Sequence, residues 1–209
     1  MIKKTTVHHL FMALPVAAAV FALSGCGGDD DNPVIGGGNN NGSPSITACF
    51  TANNTVSYAV TTLNAPSGSI IPTRDTVGPM TYNGQAVTGQ TVFYSSGTKT
   101  YTTSNYWTVT NSGVTMLAEV DQNGNITTDD TFYPQNMEPG QVVTDSSGDV
   151  FTFIGFETLT LAGKTFSNTC HINGSDTTGD QVQAWYAPGY GIIKRITNGN
   201  VIAQYNGTI

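Results

Sequence analysis

Charge is scarce in this chain. Only 10% of its 209 residues are Asp, Glu, Lys or Arg, with seven basic against fourteen acidic residues and a formal net charge of −7. So few cations leave nothing to neutralise a phosphate backbone, and nucleic acid is not an expected partner. Long apolar runs are missing as well: Leu10 to Ala22 is too short for a comfortable transmembrane span. Beyond Ser45 no apolar pattern of period 3.6 lasts long enough for a substantial helix. There is no Gly-x-Ser-x-Gly elbow and no phosphate-binding glycine loop opening a helix. Thr, Ser, Asn and Gly fill the space that charged residues leave, a composition that suits an exported β-protein better than a cytosolic helical one.

The N-terminus carries an organised signal. Lys3 and Lys4 supply a positive segment, Leu10 to Ala22 an apolar one, and Leu23-Ser24-Gly25-Cys26 reads as a lipobox, the site at which a bacterial lipoprotein precursor is lipidated on its cysteine and cut before it. An ordinary secretory peptide with an incidental cysteine is the alternative. Lipidation of Cys26 implies attachment to a membrane, because each buried CH₂ of the acyl chains contributes about 0.8 kcal/mol, and it implies the lipoprotein processing and sorting machinery as partners. Without residues 1–25 the chain keeps five basic and fourteen acidic residues, a charge of −9. That charge disfavours an anionic membrane face and leaves the lipid as the means of attachment.

Residues 26–45 continue from the cysteine as a Gly-, Asn- and Asp-rich tether with almost nothing to bury. The nineteen residues after Cys26 would span roughly 24 Å as a coil and about 65 Å fully extended. Gly27 is not the aspartate that retains lipoproteins at the inner membrane of enteric bacteria, so the outer membrane is the expected location. Asp29-Asp30-Asp31 resembles the acidic signals that carry some lipoproteins to the cell surface, although a solvated linker reads as simply.

Residues 46–209 make one domain. Its apolar pattern has period two throughout, and the expectation is all-β: a curled antiparallel meander of about nine or ten strands, as a half-barrel, barrel or sandwich. Asn83-Gly84, Asn123-Gly124, Asn173-Gly174 and Asn198-Gly199 mark tight turns, since both residues of such a pair tolerate positive φ. Val150-Phe151-Thr152-Phe153-Ile154-Gly155-Phe156 has large side chains on both faces and reads as a central strand. Tyr101 to Val109, with Tyr106 and Trp107 on opposite faces, is a second candidate for the core. If Cys26 is lipidated, Cys49 and Cys170 remain as a pair in an oxidising compartment, and a disulfide is expected. Two separately buried thiols stay open as the alternative, because sequence alone does not bring the two within bonding distance.

The last third has an order of its own: Ala162-Gly163-Lys164-Thr165-Phe166-Ser167-Asn168-Thr169-Cys170, then Trp185-Tyr186-Ala187-Pro188-Gly189-Tyr190-Gly191-Ile192-Ile193-Lys194. It resembles an uncharacterised family of bacterial lipoproteins and periplasmic proteins whose C-terminal region runs AGxFxxC, a polar gap, then WYAPGxGxxK. The chain departs from it at Leu161, where proline is usual, at Thr169, which moves the cysteine one residue further from Phe166, and at Tyr190 in place of valine. Phe132-Tyr133-Pro134 and Met137-Glu138-Pro139-Gly140 lie where that family has a Pro-Leu-x-x-G segment. The resemblance implies a curled antiparallel β domain of the cell envelope and brings no catalytic residues.

Candidate chemistry is thin. Trp185 and Tyr186 could form an aromatic platform for a ligand such as a sugar ring, or be core aromatics held by the Pro188-Gly189 turn. His171 with Asp176 and Asp180 could be arranged into a nucleophile-activating set, yet it is the lone histidine after Cys26. Glu138 and Glu157 could pair as glycosidase carboxylates only at the right separation. Asp121 to Asp130 alternates oxygen side chains as a calcium loop does, but Ile126 stands where glycine belongs and no glutamate closes it. One cysteine pair and one histidine are too few for a zinc site. The expectation is therefore a domain without catalytic residues, metal or cofactor that binds an envelope protein or a polysaccharide. The alternatives are a carrier enclosing an apolar ligand and, third, a hydrolase.

Overall fold

The computed structural model describes residues 44–64, 69–96 and 99–208. Cys26, the signal segment and nearly all of the tether lie outside the described residues. Ser43–Ile209 is a compact unit of its own. It opens with one helical turn, α1 (Ile46–Phe50), followed by thirteen strands: β1 (Val56–Asn64), β2 (Ser69–Tyr82), β3 (Gln85–Ser96), β4 (Lys99–Thr110), β5 (Gly113–Val120), β6 (Ile126–Thr128), β7 (Phe132–Pro134), β8 (Val142–Thr144), β9 (Val150–Leu161), β10 (Lys164–Ser175), β11 (Gln181–Ala187), β12 (Gly191–Thr197) and β13 (Asn200–Thr208). No described helix is long and apolar enough to cross a membrane.

All strands belong to one antiparallel sheet in the order β6-β5-β4-β3-β2-β1-β13-β12-β11-β10-β9-β8, with β7 also on the free side of β5. The first and last strands are neighbours in the middle, so the chain runs out along one arm and returns along the other. The sheet is open: β6 and β8 end it without pairing. Residues 135–141 connect the two arms at their outer limits. There the Ser146 N–H donates to Asp130 Oδ1 at 2.9 Å, and the Tyr133 and Phe151 rings stand 6.1 Å apart. The curl thus brings its ends together through side chains and a turn, without a ladder.

Turn chemistry sets much of the register. Tyr82 pairs with Gln85 and Thr197 with Asn200, and Asn83, Gly84, Asn198 and Gly199 all have positive φ, the geometry of two-residue hairpins whose twist matches the strands. Leu161 pairs with Lys164 across Ala162-Gly163 in the same way, with Ala162 at φ 48°. Asn123-Gly124 lies in a longer loop, where the Gly124 N–H donates to Asp121 O at 3.0 Å. Asn173-Gly174 is not a turn. Both residues sit inside β10, paired with Gln183 and Val182, and glycine lets the Phe151 ring pack close to the strand, since a Cβ would meet it at 3.1 Å.

The segment Val150 to Phe156 is not central either; only the three-residue β8 lies outside it. A bulge between its pairings to His171 and Ile172 inserts Ile154 as an extra residue. Phe151, Phe153 and Phe156 therefore all pack into one core cluster, while Ile154 is exposed. The apolar residues on "both faces" are one face counted across a bulge.

Two clusters hold the domain. The first joins Ile46, Cys49 and Phe50 to Trp107, Val114, Met116, Tyr133, Phe153, Cys170, Ile172 and Tyr186, drawn from both arms. Residues 46, 49 and 50 share one side of a helical turn, and Ser45 caps it by accepting from the Ala48 N–H at 3.3 Å. Phe50 enters the curl between Tyr186 at 4.2 Å, Tyr133 at 5.8 Å and Trp107 at 6.0 Å, and the Trp107 indole donates to Phe50 O at 2.8 Å. Cys49 and Cys170 are bonded, with Cα atoms 5.9 Å apart, and fasten α1 to β10. The second cluster gathers Tyr58, Val60, Val77, Leu161, Phe166, Trp185, Ile193 and Tyr205. Alternation along β11 places Tyr186 in the first cluster and Trp185 in the second.

Candidate functional site

The densest polar constellation crosses β9 to β12. Register places His171 opposite Trp185 and Trp185 opposite Lys194, so the three form a lateral row. A bulge at Asn168, φ 56°, takes up the extra residue between Phe166 and Cys170 and sets Glu157 opposite Thr169, within reach of the row. Glu157 Oε1 lies 2.7 Å from His171 Nδ1, and Oε2 accepts from Trp185 Nε1 at 2.8 Å. The imidazole stacks on the indole at 4.1 Å, and Lys194 Nζ stands 4.6 Å from the indole centre. Partial burial pushes the Glu157 carboxyl up, but the hydrogen bonds from Trp185 and His171, helped by the Lys194 charge, outweigh it and hold the group below its ordinary value.

Chemically this is a clamp: both carboxylate oxygens are occupied in fixing a ring. His171 is 9% exposed, and among the described residues its buried Nε2 has no hydrogen-bond partner. Among the described residues no hydroxyl or thiol is bonded to it, so no nucleophile completes the set. Trp185 and Tyr186 are core aromatics, 5% and 8% exposed. Trp185 is covered by His171 and Lys194 and Tyr186 by Phe50, so the structure lends no support to a sugar platform there.

The other sequence candidates are dispersed. Asp176 and Asp180 close the β10–β11 turn; Asp176 Oδ1 accepts the N–H groups of Thr178 and Asp180 at 2.9 and 2.8 Å and takes no part with His171. Glu138 is exposed in the β7–β8 connection, and among the described residues no hydrogen bond joins it to Glu157. Asp121 is turned onto its own loop, its Oδ1 accepting from the Asn123 and Asn125 N–H groups at 2.8 Å, as a hairpin loop requires. Asp129, Asp130 and Asp145 do converge, with one oxygen of each within 4.8 Å of the others. Each accepts hydrogen bonds from its own turn or its neighbour, from Thr131, Ser146 and Ser147 respectively.

Sequence reasoning missed a second polar group, buried where β2 and β3 meet β12. Gln90 Nε2 lies 2.7 Å from Asp75 Oδ2, 3.1 Å from Tyr58 Oη and 3.1 Å from Ile192 O, while its Oε1 accepts the Ile192 N–H at 2.8 Å. Tyr58 Oη donates to Tyr190 O at 2.6 Å. Gly191, φ 62°, permits this approach, since a Cβ there would stand 2.5 Å from Gln90 Oε1. Asp75 is 4% exposed, and among the described residues its Oδ1 has no hydrogen-bond partner. Burial pushes its carboxyl from 3.8 up to about 7, with the Gln90 hydrogen bond opposing the rise. Nothing local in β2 or β3 signals the crossing that joins them to β12.

No family model and no curated protein sequence matches the chain. A crystal structure of a protein from Bacteroides fragilis, described as a candidate exported protein with a YmcC-like fold, is similar at 12% identity with a TM-score of 0.44, covering 77% of this chain and 98% of that one.

Proposed function

We propose that the chain is a lipoprotein of the bacterial envelope, lipidated on Cys26 and held at the outer membrane, whose β domain works by binding an envelope protein or a polysaccharide without chemistry of its own. The observation that carries the reading is the filled interior of the curl. Phe50, Ile46 and the Cys49–Cys170 bond occupy the space between the arms, so a partner meets the domain from outside, and an enclosed apolar cargo would compete with α1. The clamped His171, with no nucleophile beside Nε2 among the described residues, supports a structural role for that group. The lipobox and the acidic tether support the anchor.

Two measurements test this. Fatty-acid labelling of the wild-type chain should be lost in Cys26→Ser; equal labelling and membrane fractionation of the two would remove the anchor. Affinity capture from envelope extract should retain a protein or glycan, whereas a stoichiometric apolar small molecule would favour the carrier.

A further inference from the structure

We infer that the outer face of β1 to β4 is a binding face for a polysaccharide that bears carboxylates, with Arg74 as its anchor. This rests on the binding reading above and names the class of ligand. Ser57, Thr76, Thr91 and Ser104 are successive register partners on four adjacent strands, so their hydroxyls form one lateral row on one face. At the usual strand spacing the row is about 14 Å long. Ser57 and Thr76 are hydrogen-bonded at 2.8 Å and Thr91 and Ser104 at 2.9 Å. The Ser57–Thr76 pair uses one O–H internally and leaves one O–H and several lone pairs facing outward, while Thr91 also donates to Met80 Sδ at 3.9 Å, so the Thr91–Ser104 pair offers lone pairs; together they make a donor and acceptor pattern that a polyol can match.

Arg74 and Phe93 are the next register pair along the same face, two residues from Thr76 and Thr91. The exposed guanidinium lies over the Phe93 ring at 4.5 Å, and among the described residues it has no carboxylate partner. Its planar fork is therefore pre-positioned and free to take a carboxylate in two hydrogen bonds. Charge is divided along the chain in the same sense. Between Val56 and Thr110 the one carboxylate is Asp75, which is buried, whereas ten lie between Glu119 and Asp180. The hydroxyl face is thus the part of an acidic protein that does not repel an acidic polymer. A protein partner would call for an apolar centre, and among the described side chains the exposed large apolar ones, Ile126, Phe132, Val142, Val150, Ile154 and Val201, lie on other strands, while Met80, Tyr82 and Tyr106 on these strands are half-buried.

The test is binding of the full-length chain in detergent micelles to polygalacturonate and alginate, with dextran as the uncharged control, by titration calorimetry. The carboxylated polymers should bind at least tenfold more tightly than dextran, and more weakly as salt rises. Arg74→Ala should lose at least tenfold, and the double change Thr76→Val with Thr91→Val several-fold, with near-UV dichroism unchanged. Arg74→Lys should recover only part. Failure of both acidic polymers to bind, equal binding of dextran, or Arg74→Ala binding as the wild type does would each overturn the inference. If the polymers fail while envelope capture still retains a protein, the face is wrong and the binding reading stands; if capture also fails, both fall.

Discussion

Replacing Asp75 by asparagine should remove most of the pH dependence of stability between pH 5 and 8. In the folded protein the Asp75 carboxyl is raised by burial from 3.8 to about 7, so folding favours its protonated form. The stabilisation from holding that proton is complete below the unfolded value, declines as pH rises and is gone above about 7. The full interval corresponds to about 4 kcal/mol, of which about 2 kcal/mol falls between pH 5 and 7 and nearly 3 kcal/mol between pH 5 and 8. Asparagine keeps an acceptor for Gln90 Nε2 and cannot ionise. Urea unfolding at half-unit pH steps should show the wild type losing about 3 kcal/mol from pH 5 to 8 relative to Asp75→Asn, with the variant the more stable at pH 8. Glu157, Asp121, Asp130 and Asp176 are all held below their ordinary values. They add stability above the unfolded carboxylate range and lose it only as pH falls below it, outside this interval. Parallel profiles for wild type and variant would refute the assignment of a high proton affinity to Asp75.

Other outcomes follow from the same geometry. Reducing the Cys49–Cys170 bond, whose partners are 121 residues apart, should lower stability by up to about 4 to 5 kcal/mol by loop entropy, and thiol titration of the unfolded, unreduced chain should find neither cysteine free. Phe50→Ala empties the centre of the first cluster and should cost about 3 to 5 kcal/mol in urea unfolding; a loss below about 1 kcal/mol would mean that α1 does not hold the curl. Ala162 sits at φ 48° in a two-residue turn, so Ala162→Asn should raise stability by about 0.5 to 1 kcal/mol.

Local signals in the sequence were the ones that survived folding. Asn83-Gly84 and Asn198-Gly199 fix backbone geometry by themselves, and the hairpins form where those pairs stand. The Cys49–Cys170 bond was legible by elimination, and Tyr101 to Val109 as a core segment by its alternation, although which of Tyr106 and Trp107 faces inward was not; the buried one is Trp107. Bulges defeated the rest, because one inserted residue exchanges the faces of everything beyond it. That is why Val150 to Phe156 looked covered on both sides, and why Glu157 was not matched with His171: counting back from the Ala162-Gly163 turn misses the extra residue near Asn168. Gly174 shows a further limit, since glycine next to asparagine signals a turn unless a ring from a neighbouring strand claims the space. The Asp75–Gln90–Tyr58 group and the filling of the curl by α1 depend on contacts between segments far apart in sequence, which no local pattern encodes.

The central claim, binding without catalysis, is tested most directly by His171→Ala. In cells lacking the native protein, the variant should restore the envelope phenotype and retain the same captured partner as the wild type, at equal abundance and with only a modest loss of stability. Loss of the phenotype by a variant that is folded and at normal abundance would contradict the account and point to chemistry centred on His171 and Glu157.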